Sequence, residues 1–204
     1  MITIINYGMG NLRSLQNAFT YLGIESRIVS DPEVIAASDR LVLPGVGSYA
    51  QAMMNIEKNG MRQAMEMAVL QRGVPFLGVC LGMQLLSGQG EEGGITKGLG
   101  WIPGRVVRMT PGEGLKIPHI GFNTARFRLN HGGLFDGLGD GCDFYFVHSF
   151  HFISRDPENV IGVCDYGGEV VCAIRRDNVV GVQFHPEKSQ SNGLQLLRNF
   201  MNHF

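Results

Sequence analysis

The 204-residue sequence predicts a single α/β domain over residues 1–204, a central mostly parallel sheet flanked by helices with an additional antiparallel β region. Three observations carry that expectation. Strand-length apolar runs alternate with helix-spaced apolar residues through the first half; β-rich segments separated by turn signals follow from about Gly98; an amphipathic stretch closes the chain. Strict alternation calls for a parallel sheet covered on both faces, with its active site at the carboxyl ends of the strands.

Taken in order, Ile2 to Ile5 is a continuous apolar run and reads as a buried strand. Leu12, Leu15, Phe19 and Leu22 then mark one helix face, and Arg27 to Val29 a second strand. Asp31-Pro32 is a helix start, an N-cap followed by proline in the first turn, and Arg40 to Leu43 is a third apolar run. Met53, Ile56, Met61, Met65, Ala68 and Val69 keep helical spacing up to Gly73, read as a C-terminal cap. Val74 to Val79 is the next strand, and Leu81, Leu85 and Leu86 resume helical spacing. In the β-rich half, Pro103-Gly104 and Asp177-Asn178 punctuate the strands. Leu194, Leu197, Phe200, Met201 and Phe204 form the closing helix, apolar on the side that packs onto the sheet.

Cys80 falls on the turn between a strand and a helix. Gly78-Val79-Cys80-Leu81-Gly82 matches the nucleophile elbow G-x-S-x-G with sulfur in place of oxygen. Flanking glycines suit that sharp turn because side chains there would collide with backbone, and the helix N-terminus behind it favours the attacking thiolate. The bland alternative is a small buried hydrophobe. A thiol nucleophile needs a base and a group to orient the base, and His185 ends the apolar run Val179 to Phe184 with Pro186 and Glu187 next. Cys80, His185 and Glu187 then make a triad; otherwise His185 to Glu187 is a surface turn. Pro44-Gly45-Val46-Gly47 follows the third strand at the same sheet edge. It reads either as a turn or as a loop offering a backbone N–H to a developing oxyanion, with the Leu81 N–H as second donor.

Other constellations point nowhere. His148 and His151 have HxxH spacing, but residues three apart on an extended segment face opposite ways, so no metal site is expected. Gly8-Met9-Gly10 follows a strand, yet Arg13 occupies the third glycine position of a dinucleotide fingerprint, so NYGMGN reads as a tight strand-to-helix turn, with an active-site rim as the lesser alternative. A formal net charge of −1 with no long basic run argues against nucleic acid and anionic membranes as partners. No basic leader precedes a long apolar stretch and no window reaches about 18 uninterrupted apolar residues, so a cytoplasmic protein is expected. The four cysteines lack CxxC pairing and read as free thiols, with Cys142, Cys164 and Cys172 as packing residues.

Together GVCLGMQLL, PGVGSY and FHPEKSQ resemble the class I, or triad, glutamine amidotransferases over the whole chain. More narrowly, NYGMGN, KIPHIGFN, FYFVHSF and HPEKSQ resemble the glutaminase subunits of imidazole glycerol phosphate synthases. The resemblance implies a flavodoxin-like core and hydrolysis of L-glutamine to glutamate and ammonia, with no cofactor and no metal. Cys80 is then nucleophile, His185 base and Glu187 its orienter. Gln84, Glu92, His148, Ser149 and Phe150 line the glutamine pocket, and Lys188 lies near a partner interface. It further implies a heterodimer with a (β/α)8-barrel, HisF-like cyclase that uses the ammonia to make imidazole glycerol phosphate and AICAR in histidine biosynthesis. Paralogues deliver ammonia to acetamidino-sugar synthesis for surface polysaccharides, and the same fold and elbow serve thiol hydrolases, peptidases and silent regulatory subunits. Two positions depart from the family pattern: Phe122 stands where a tryptophan is common, and Phe150 where a tyrosine is.

Overall fold

Every residue of Ile2–Ile5, Leu41–Gly45 and Phe76–Cys80 is buried, which is what a strand covered on both faces requires and why these segments carry no polar alternation. The computed structural model describes residues 1–110, 112, 114–128, 131–139 and 141–204. In chain order the strands of the first half are β1 (Ile2–Ile5), β2 (Ser26–Val29), β3 (Leu41–Gly45) and β4 (Phe76–Cys80). Two short strands follow, β5 (Gln89–Gly90) and β6 (Thr96–Lys97), then β7 (Gly104–Arg108), β8 (His119–Phe127), β9 (Gly141–His148) and β10 (Phe150–Ser154). The last are β11 (Val160–Asp165), β12 (Glu169–Arg176) and β13 (Val179–Val182).

Five strands run parallel in the order β2-β1-β3-β4-β13. Counted among themselves that is 2-1-3-4-5, the flavodoxin-like order. From β13 the sheet continues antiparallel through β12, β10 and β7, then to β5, which runs parallel to β7, and β6; β11, β8 and β9 extend from β12 as an antiparallel branch. The β-rich second half is therefore added to the parallel sheet and not stacked as a separate layer.

Among the described residues six α-helices flank the sheet: α1 (Leu12–Tyr21), α2 (Pro32–Ala36), α3 (Tyr49–Lys58), α4 (Met61–Glu66), α5 (Leu81–Gln84) and α6 (Gln190–His203). Alternation along β1 divides the core. Ile2 and Ile4 join the cluster under α1 and α6, with Leu15, Phe19, Leu197 and Phe200; Ile5 joins the cluster under α2, α3 and α4, with Ile35, Ile56 and Met65. Asp31 caps α2 as its sequence suggests, accepting the Glu33 N–H at 2.9 Å with Pro32 in the first turn.

Two expectations change. The single helix read up to Gly73 breaks at Gly60, whose φ of 67° only glycine adopts freely. The chain restarts as α4 and loosens into a π turn over Met67–Gln71. Met61, Met65, Ala68 and Val69 are all buried, so the apolar spacing described the buried face correctly while concealing the break. The helix after Cys80 is also one turn only, with Leu85 and Leu86 buried in the turn that follows.

Candidate active site

Cys80 is the last residue of β4 and stands at φ 54°, ψ −109°, a state that residues with a Cβ rarely hold. Its neighbours explain how. A Cβ on Gly78 would lie 2.6 Å from the Gly82 carbonyl oxygen, and one on Gly82 would overlap the Leu43 carbonyl oxygen. Glycine at both positions lets the turn fold tightly against β3. The β3–β4 register pairs Gly45 with Cys80, so the loop after β3 and the thiol emerge side by side. A four-residue α5 has little macrodipole to offer, which reduces the expected helix contribution to the thiolate.

His185 leaves the sheet just beyond β13, the parallel neighbour of β4, and so reaches the same edge as Cys80. Its Nδ1 lies 2.8 Å from Glu187 Oε1, with both side chains 3% exposed. Glu187 is placed by a one-turn 3-10 helix, Pro186–Lys188. Burial pulls the His185 pKa down, but hydrogen bonding and charge from Cys80 and Glu187 outweigh it and push the pKa up to about 10. The approach of Cys80 to the ring falls short of an aligned hydrogen bond, since the buried Nε2 has no such partner among the described residues, and Nε2 is left open to a reacting atom.

Val46, Gly47, Cys80, Leu81, Gln84, Glu92, His148, Ser149 and Phe150 line one cleft of about 450 Å³. Gly45, His185, Glu187 and Lys188 lie outside that lining: Gly45 and the His185 and Glu187 side chains are buried, and the Lys188 ammonium is 5.5 Å from the centre of the Tyr145 ring. Gln84 is a brace: its Nε2 donates to the Phe150 carbonyl and to Gln183 Oε1, both at 3.0 Å. Glu92 accepts the Tyr49 N–H at 2.7 Å, closing the start of α3 from across the cleft. Phe150 contributes its backbone carbonyl, which also accepts from His148 Nδ1 at 2.9 Å, so this role is independent of a phenolic oxygen. Phe122 is 53% exposed and meets Tyr145 edge-on.

Sequence reasoning singled out none of three further contributors, although it offered the segment around Tyr7 as an alternative active-site rim. Gln183 is fully buried and donates to Cys80 Sγ at 3.7 Å; its signal was one amide inside an otherwise apolar strand end. Tyr7, in NYGMGN, buries its hydroxyl against Gly45 without a hydrogen-bond partner, and burial followed by the charge of Cys80 raises its pKa. His119 lies 3.0 Å from His148 through ring nitrogens, a contact across paired strands that no local pattern announces.

The Cys80 thiol, on a strained elbow, and the His185 imidazole, hydrogen-bonded to the Glu187 carboxylate, stand at the carboxyl edge of a flavodoxin-ordered sheet. The family model for glutamine amidotransferase class-I matches residues 3–204, and the chain belongs to that family. Its relatives include the imidazole glycerol phosphate synthase subunit HisH of Moorella thermoacetica, 48% identical over 98% of this chain and 93% of that protein. The HisH subunit of Caulobacter vibrioides is 43% identical over 98% of this chain and 97% of that protein. Among solved structures, one described as a glutamine amidotransferase superposes with TM-score 0.77 at 20% identity, covering 98% of this chain and 97% of that one. Another, PurLQS from Thermotoga maritima, gives TM-score 0.69 at 19% identity over 98% of this chain and 97% of that one.

Proposed function

We propose that this chain is the glutaminase subunit of an imidazole glycerol phosphate synthase, hydrolysing L-glutamine and passing the ammonia to a (β/α)8-barrel synthase subunit in histidine biosynthesis. The observation that carries the site assignment is the convergence of Cys80, His185 and Glu187 at the ends of the adjacent parallel strands β4 and β13. The relatives' names favour the histidine pathway over acetamidino-sugar synthesis.

In this reading the Cys80 thiolate attacks the glutamine carboxamide carbon, and the carbonyl electrons move onto oxygen. The N–H groups of Leu81 and of the Gly45 to Gly47 loop stabilise that oxyanion. His185, whose raised pKa keeps it protonated at neutral pH, gives its proton to the departing nitrogen, and ammonia leaves a thioester. The now neutral imidazole takes a proton from water as the water oxygen attacks. Collapse of the second tetrahedral species expels the thiolate and releases glutamate. Glu187 holds the ring so that Nε2 faces the reaction in both halves.

An apolar strip supports a docked partner. Ile120 and Phe122 are 59% and 53% exposed on the outer face of β8, near the Tyr145–Lys188 pair, and Val46 at the cleft mouth is 43% exposed. Ammonia is mostly protonated at neutral pH, so release into solvent would waste it. A partner over the cleft also offers a switch, because presenting or withholding one oxyanion donor is worth roughly 3 kcal/mol of barrier. The deciding experiment compares glutamine, peptide and ester substrates with and without a barrel subunit. Glutamate formed from glutamine, faster in the assembled and acceptor-bound complex, supports the proposal; equal turnover by the isolated chain overturns the gating part, and preference for peptide or ester overturns the whole.

A further inference from the structure

Behind the cleft wall runs a hydrogen-bonded cord whose two ends cannot change role. At one end the Phe150 carbonyl can only accept, so His148 Nδ1 carries the hydrogen that meets it at 2.9 Å, and neutral His148 presents Nε2 as an acceptor. At the other end Asn123 is fixed by two backbone groups. Its Oδ1 accepts the Thr124 N–H at 2.8 Å and its Nδ2 donates to the Asp165 carbonyl at 2.8 Å. The second Nδ2 hydrogen therefore points to His119 Nε2, 3.2 Å away. A neutral His119 that accepts at Nε2 carries its hydrogen on Nδ1, and that nitrogen lies 3.0 Å from His148 Nε2. Donation runs one way, from Asn123 to His119 to His148 to Phe150.

The His119 ring has little freedom to leave this line. It stacks on Phe146 at 4.7 Å and on Tyr166 at 4.0 Å, and the β8–β9 register sets His119 directly opposite His148. At the far end, the Phe150 carbonyl takes its second hydrogen bond from Gln84, and both residues line the cleft. We infer that His119 is a positioning residue for the glutamine cleft: by holding His148 in its Nδ1–H tautomer it fixes the Phe150 carbonyl and, across it, the Gln84 amide before substrate arrives. The inference rests on reading the cleft beside Cys80 as the glutamine site. Burial keeps both rings neutral, with His119 lowered to about 4 and His148 to about 3, as the cord requires, since an added proton would set one N–H against another.

The test follows covalent labelling of Cys80 in the whole chain by a glutamine-mimicking chloroketone, which separates the binding constant KI from the maximal labelling rate; iodoacetamide, which does not need the cleft wall, reports on the thiol alone. His119→Leu should raise KI about tenfold while leaving the maximal rate and the iodoacetamide rate unchanged. His119→Asn, whose amide hydrogen can stand where Nδ1–H stood, should recover most of the loss, and His119→Gln should not. An unchanged KI in His119→Leu, equal KI in the Asn and Gln variants, or losses that track melting temperature across all three would overturn the inference. A wild-type thiol that reacts with iodoacetamide but never with the chloroketone would instead remove the glutamine-site reading, and this inference with it.

Discussion

His185 Nδ1 and Glu187 Oε1 form a 2.8 Å hydrogen bond between two side chains that are each 3% exposed, and that bond determines which ring nitrogen faces Cys80. Replacing Glu187 by Gln keeps the shape but removes the charge that helps hold the imidazole pKa up. Glutaminase kcat should fall by roughly a hundredfold or more, and the His185 titration followed by NMR should move down from about 10. An unaltered kcat in Glu187→Gln would remove Glu187 from the proposed triad.

Cys80→Ala deletes the proposed nucleophile and one cause of the raised His185 pKa. Its stability should change by an amount near the low end of the roughly 0.5–3 kcal/mol typical of point mutants. Glutamine-dependent product should vanish from the assembled synthase, while ammonium salt at raised pH should still support product formation. If ammonia-dependent product also disappears from an intact complex, this chain takes part in the synthase step.

The elbow glycines should be intolerant. Gly82→Ala drives a methyl into the Leu43 carbonyl oxygen and should destabilise by about 3 kcal/mol, near the upper end for overpacking. Gly139→Ala meets nothing within 4 Å and should change stability by less than about 0.5 kcal/mol. Urea denaturation of the two variants beside the wild type measures both.

Stability should fall on both sides of neutrality, for opposite reasons. His119 and His148 have folded pKa values below their unfolded 6.5, so their contribution is present above pH 6.5 and is lost as pH falls toward 4 and 3. His185 is raised, so its contribution is complete below pH 6.5 and is lost as pH rises toward 10. Denaturation midpoints from pH 4 to 10 should show, in His185→Asn, a flattened alkaline slope beside an acid slope that is mostly retained, because burial, the largest cause of the lowered His148 pKa, outlasts the lost His185 charge. Equal flattening of both slopes would contradict the assignment.

Much of this was legible because parallel strands buried on both faces leave uninterrupted apolar runs. Ile2–Ile5, Leu41–Gly45 and Phe76–Cys80 announce themselves, and the thiol and His185 stand out at the ends of such runs. Gly60 was not read as a break because apolar spacing continues across it, and left-handed backbone leaves no trace in periodicity. Gln84 was assigned to the pocket by resemblance, but its bracing by Gln183 joins residues 99 positions apart. The His119–His148 contact likewise depends on strand register, which the two segments do not individually specify.

The pairing of Gly45 with Cys80 across β3 and β4 has a consequence for redesign. The position of the thiol at this edge is inherited from backbone ladders and glycine contacts, whereas the cleft walls proposed to recognise the substrate come from Gln84, Glu92 and the 147–150 segment, on other elements. An engineer can therefore randomise Glu92 and the 147–150 segment while keeping Gln84, which is tied through Gln183 to the Cys80 sulfur, and ask the same thiol to cleave other primary amides without having to rebuild the position from which it attacks.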